Sequence, residues 1–184
     1  MRAFAIVLFG LSLGGCLNFG KVDDAKIPGD LLGTYAVQGA LVESDCGEGA
    51  LGSTNEWSFD VKLSRFHDDL YWINGREVIP GGVEPDGVSF AFTTRVEAEV
   101  LPTAKGRPAC VLSRADSAKG TLSSDSSDVE TFDATLTFSY SAVAGSDCEL
   151  WVGGPDTVAA LPCSMSYDLT GSRMGEAPEP NGED

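Results

Sequence analysis

Four stretches of this chain alternate apolar and polar residues with a period of two, and that pattern limits what the chain can fold into more than any other feature. Trp57, Phe59, Val61 and Leu63 alternate with Ser58, Asp60 and Lys62. Val88, Phe90 and Phe92 alternate with Ser89 and Ala91, and Met165, Tyr167 and Leu169 with Ser164, Ser166 and Asp168. The longest run sets Phe132, Ala134, Leu136, Phe138 and Tyr140 against Asp133, Thr135, Thr137 and Ser139. Successive strand residues point to opposite faces, so each stretch is a strand with one buried and one wet face.

Turn-forming clusters separate these runs: "DCGEGALGST", Asn74-Gly75, "PGGVEPDG", "PTAKGRP" and "VGGPD". Strands are expected near 32–43, 54–64, 69–73, 76–79, 87–100, 109–115, 119–124, 129–142 and 163–170, about eight once two short ones merge. No amphipathic helix longer than two turns is evident, although "IPGDLLG" suits one helical turn before the first strand. Evenly spaced strands with short connections predict an all-β, antiparallel up-and-down meander closing into a barrel, with a β-sandwich as the alternative. A closed barrel also removes open strand edges.

The formal net charge is −16. A surface this acidic repels nucleic-acid phosphates and anionic lipid heads, so a nucleic-acid partner is not expected. It suits solubility, or a cationic ligand.

The N-terminus carries a separate signal. Arg2 precedes an uncharged apolar run, Ala3 to Leu13, which is too short for the roughly 20 residues that span a bilayer but suits the apolar region of an export signal. It ends in Leu13-Gly14-Gly15-Cys16, which resembles the lipobox of bacterial lipoproteins. The resemblance implies cleavage before Cys16, a diacylglyceryl group on its sulfur and an acyl chain on its amine. It places the protein in the cell envelope, with the membrane as a partner. Leu17, rather than Asp, after the cysteine implies the outer membrane. The expected organisation is a signal peptide at 1–15, a lipidated N-terminus and tether at 16–30, a barrel domain at 31–172 and a disordered acidic tail at 173–184.

A second resemblance concerns the barrel. "GDLLGTYAV", Gly29–Val37, is similar to the start of a lipocalin, where an aromatic residue of a Gly-x-Trp motif plugs the closed end. Here the motif is Gly33-Thr34-Tyr35, with Tyr replacing Trp. The resemblance implies a basic residue near the chain's end against that ring, for which Arg173 stands in position.

Setting Cys16 aside leaves Cys46, Cys110, Cys148 and Cys163, an even number that implies two disulfides in an exported chain. Cys148 and Cys163 flank the connection between the last two long strands. A hairpin there brings its ends together, so the expected pairs are Cys148–Cys163 and Cys46–Cys110. A metal site is not expected: there is no C-x-x-C, and His67 is the sole histidine.

No catalytic constellation emerges. His67 beside Asp68 and Asp69 reads as a solvated turn, and neither G-x-S-x-G nor H-E-x-x-H occurs. "SSDSSD" at 123–128 lacks the Gly and terminal Glu of an EF-hand loop and reads as a polar hairpin loop. The expectation is therefore a binding protein, without enzyme activity and without a cofactor. In one form the barrel encloses a small apolar ligand among the inward residues Tyr35, Trp57, Phe59, Trp72, Phe90, Phe92 and Phe138. In the other it meets an envelope partner through Leu150, Trp151 and Val152 of the 148–163 loop.

Overall fold

The structure, a computed structural model, describes residues 27–75, 77–154 and 157–175. The leader, Cys16, the first part of the tether and the tail beyond 175 lie outside the described residues.

Eight strands follow one another: β1 (Asp30–Ser44), β2 (Glu56–Phe66), β3 (Asp69–Asn74), β4 (Glu77–Val83), β5 (Ser89–Leu101), β6 (Cys110–Leu122), β7 (Thr131–Ala142) and β8 (Cys163–Arg173). Every neighbour pair is antiparallel, and β8 pairs with β1 to close the barrel. The all-β meander expected from the alternation is thus the observed fold. The two segments expected at 109–115 and 119–124 are one continuous strand, β6. No helical turn precedes β1 among the described residues; after a bend at Gly29 (φ 68) the chain enters the strand at Asp30.

The lower end of the barrel, where β1 begins, is packed solid. Tyr35, Val37, Val61, Leu63, Leu70, Phe132 and Leu169 are almost fully buried. Phe132 stands at the centre of this packing, edge-on to Tyr35, Trp72 and Phe90 at centroid distances of 5.6, 5.7 and 6.1 Å. Burying each such ring contributes about 1.5–3 kcal/mol. Bulky rings fit because small residues face them: a Cβ on Gly171 would run into the Phe132 ring, its register partner across β7 and β8. At the bottom Arg65 ties three connections together. Its Nε donates to the His67 carbonyl at 2.9 Å, and Nη1 donates to the carbonyls of Gly87 and Asp125, each at 3.2 Å.

The upper end is covered by a strap, described over residues 143–154 and 157–162, and the strap corrects the expected disulfides. The bonds are Cys46–Cys163 and Cys110–Cys148, not Cys148–Cys163 and Cys46–Cys110. The 143–162 connection is not a hairpin whose ends meet. It first runs beside the start of β6, where Val143 N–H donates to the Val111 carbonyl (2.9 Å) and Asp147 N–H to that of Ala109 (3.2 Å). That path sets Cys148 against Cys110. It then crosses to β1, where Ala159 N–H donates to the Cys46 carbonyl at 2.7 Å. Cys163 opens β8 beside the end of β1, where Met165 faces Ser44, so its nearest thiol is Cys46. The two bonds therefore clamp the strap to the upper rim at two points, one at β6 and one at β1 and β8.

Candidate functional site

Strand lengths are unequal, and the site follows from that. β2 pairs with β1 from Glu56 downward, but with β3 only from Lys62. β5 pairs with β6 up to Leu101, but with β4 only through Gly81, Gly82 and Val83, facing Phe92, Ala91 and Phe90. The β3–β4 hairpin thus rises only part of the way up the wall. It turns back after Asn74 through Gly75, whose φ of 61° is the left-handed backbone that tight hairpins need. Pro80, which has no N–H to donate, lies just above the point where β4 leaves β5. The result is a notch in the wall above the hairpin, bounded by the upper halves of β2 and β5.

Behind the notch lies a cavity of about 320 Å³. Trp57 and Phe59 of β2, Trp72 of β3, Ile79 of β4, Phe92 of β5, and Leu136 and Phe138 of β7 form its apolar wall. Five rings line it, and the buried Tyr167 behind them joins them into one connected series. Phe138 meets Tyr167 edge-on at 6.0 Å, Tyr167 meets Trp57 at 5.5 Å, and Trp57 stacks on Phe59 at 4.9 Å and 12°. Phe59 then contacts Trp72 at 5.9 Å, and Trp72 meets Phe92 at 5.7 Å. Each edge-to-face or offset pair contributes about 0.5–1.5 kcal/mol beyond burial and holds its neighbours in place.

The wall contributed by β6, next to β5, is polar. Arg114 and Asp116, two apart on β6, share the inward face and pair bidentately, Nε to Oδ1 at 2.8 Å and Nη2 to Oδ2 at 2.9 Å. The guanidinium also lies over the Phe138 ring, 5.2 Å from its centroid. Burial alone lowers the Arg114 pKa, but the hydrogen bonds and charge of Asp116, with Tyr140 beside it, outweigh that and hold it above the ordinary value. Burial raises the Tyr140 hydroxyl, with the Arg114 charge opposing. Asn74, Glu77 and Thr94 complete the polar lining near the mouth. A second recess of about 250 Å³ lies higher, between Leu51, Val96, Ala98, Val100, Leu112 and Tyr140; Arg114 borders both.

Five of the seven ring residues expected to face a ligand line this cavity: Trp57, Phe59, Trp72, Phe92 and Phe138. Tyr35 and Phe90 do not; they fill the closed end below it. Tyr35 is fully buried and donates its hydroxyl to the Val129 carbonyl at 2.8 Å, and burial raises its pKa to about 12 despite the opposing charge of Arg173. Arg173 faces Tyr35 across β1 and β8, and its side chain crosses Gly33.

The polar lining was absent from the sequence expectation. Arg114 and Asp116 share parity with Leu112, Ala118 and Leu122, all buried. Carrying that parity through a single unbroken strand is the signal that exposes them, and it is lost once the segment is split at 115.

The three expected partner contacts separate. Leu150 is 72% exposed, whereas half-buried Trp151 packs against both apolar clusters of the barrel, and Val152 bridges to Val158 within the strap. Trp151 therefore anchors the strap. His67 is exposed in the β2–β3 turn with a φ of 56°, its ring against Phe66 at 4.4 Å. The 123–128 segment is a loop closed by its own serines, Ser126 N–H donating to Ser124 Oγ at 3.1 Å. Asp45, Cys46 and Cys163 lie close together, but both sulfurs are committed to a disulfide, and Asp45 accepts the Ser164 N–H.

Comparison with known proteins returns no family model, no curated protein and no solved structure that matches this chain.

Proposed function

We propose that this is a lipid-anchored envelope protein whose barrel binds a small, largely apolar ligand through the notch above the β3–β4 hairpin. The observation that carries this reading is the aromatic cavity of about 320 Å³ reached from the side. Ligand sites are concave, mostly apolar, and carry a few convergent polar groups; roughly 300 Å³ is the lower end of their range. The half-buried rings of Trp57, Phe59 and Phe138 support the reading, since a wall that served packing alone would cover them.

The lipobox resemblance supplies the anchor, and the barrel's polarity suits it. β1 begins at Asp30 at the closed end, and the notch lies toward the opposite rim. A tether from Cys16 to that closed end holds the mouth away from the lipid surface.

The test uses N-phenyl-1-naphthylamine, an uncharged apolar fluorophore, with native mass spectrometry of the purified protein as a second readout. Binding should transfer energy from Trp57 and Trp72 to the probe. Ala118→Phe, which fills the cavity from β6, should abolish the transfer while the melting temperature stays within a few degrees. A probe signal that Ala118→Phe leaves unchanged would overturn the reading. For the anchor, Cys16→Ala should move the protein from the membrane fraction to the soluble one.

A further inference from the structure

We infer that the ligand class of this cavity is a small organic cation, an amine or quaternary ammonium on an apolar or aromatic body; this rests on the notch cavity being a binding site. The argument is a charge balance inside the cavity. Among the described residues Arg114 is the one basic residue of the lining, and its charge is consumed by the bidentate pair with Asp116. Glu77, at the mouth, adds a second carboxylate for which no basic residue of the lining remains among the described residues. The described lining residues therefore carry one net negative charge, and the protein as a whole carries −16.

The aromatic wall acts in the same sense. Ring faces carry negative quadrupole and attract cations, more strongly as desolvation increases. The cavity already holds one cation in this manner, the Arg114 guanidinium over Phe138. The series from Trp57 through Phe59 and Trp72 to Phe92 extends that surface toward the mouth, where Glu77 stands. A cationic head between Glu77 and the rings gains from both, and the apolar body fills the rest. A carboxylate ligand meets the opposite: it must displace Asp116 from Arg114 beside a second carboxylate and against the field of an acidic protein.

The experiment compares three probes on the purified full chain by isothermal titration calorimetry and tryptophan fluorescence. They are benzyltrimethylammonium, its uncharged carbon isostere neopentylbenzene, and anionic 3-phenylpropionate. The ammonium should bind about tenfold or more tightly than the isostere, with an affinity that falls as salt rises. Glu77→Gln should weaken the ammonium by about three- to tenfold and leave the isostere unchanged. Equal or tighter binding of neopentylbenzene overturns the cation assignment while the cavity reading stands. Tighter binding of 3-phenylpropionate overturns it in favour of Arg114 as an anion anchor. Binding of none of the three overturns both.

Discussion

The ring of Phe92 occupies the space where a Cβ on Gly81 would stand, and the Ala91 carbonyl closes the same space from the backbone side. This contact is the uppermost of the three register pairs that join β4 to β5 among the described residues, so one absent methyl group governs both the closure of the barrel and one wall of the cavity.

Gly81→Ala should accordingly destabilise the protein by about 1–3 kcal/mol, the usual cost of forcing extra volume into a packed wall. Gly82→Ala one residue along, where a Cβ meets only the Asp68 carbonyl at 3.8 Å, should be close to neutral. Urea denaturation of the two variants checks the contrast.

The disulfide pairing makes a mapping prediction. Trypsin leaves Cys148 and Cys163 on one peptide, with Cys46 and Cys110 on two others. Cys46–Cys163 and Cys110–Cys148 therefore link all three into one species that a second cut before Asp156 divides in two, with Cys46 released alongside Cys163. Removing the first bond, which spans 117 residues, should cost about 5 kcal/mol, against about 4 kcal/mol for the second, which spans 38, in the chain-entropy model.

Tyr35 predicts an alkaline limit. Its folded pKa is raised to about 12, above the ordinary value of 10.0, chiefly by burial. The neutral form is the one the fold holds, so its contribution is fully present below pH 10 and is lost as pH climbs through about 12. Tyr35→Phe should flatten that part of the stability profile. It should also cost about 1–2 kcal/mol at neutral pH through the lost bond to the Val129 carbonyl.

Arg114 and Asp116 should be energetically coupled. Asp116→Asn and Arg114→Met each leave a partner without its counter-charge in a half-buried wall, and the double variant removes both. A double-mutant cycle followed by thermal denaturation should return a coupling of about 1 kcal/mol, kept modest by the exposure of the guanidinium. Asp116→Asn should also raise affinity for 3-phenylpropionate, because it frees the guanidinium.

Much of this fold was legible residue by residue. The parity of Trp57, Phe59, Val61 and Leu63 named an inward face that the structure keeps, and the brevity of the third and fourth strands was visible in "LYWINGREVIPGG". What that brevity does was not legible, because a gap in a wall depends on how far its neighbours extend. Nor did aromaticity separate Tyr35 and Phe90, which fill the closed end, from Trp57 and Phe138, which line the cavity: all four share the inward face and differ only in height along the barrel.

The chain by itself determined the strand count, the inward parity and the even set of thiols, because these depend on local spacing along a backbone with a two-residue repeat. Only the tertiary structure decided which thiols meet, that Arg114 and Asp116 face each other within an aromatic wall, and that the wall is notched. Those features depend on register and on the path of the 143–162 strap, and both arise from pairings between residues far apart in the chain, which local spacing does not encode.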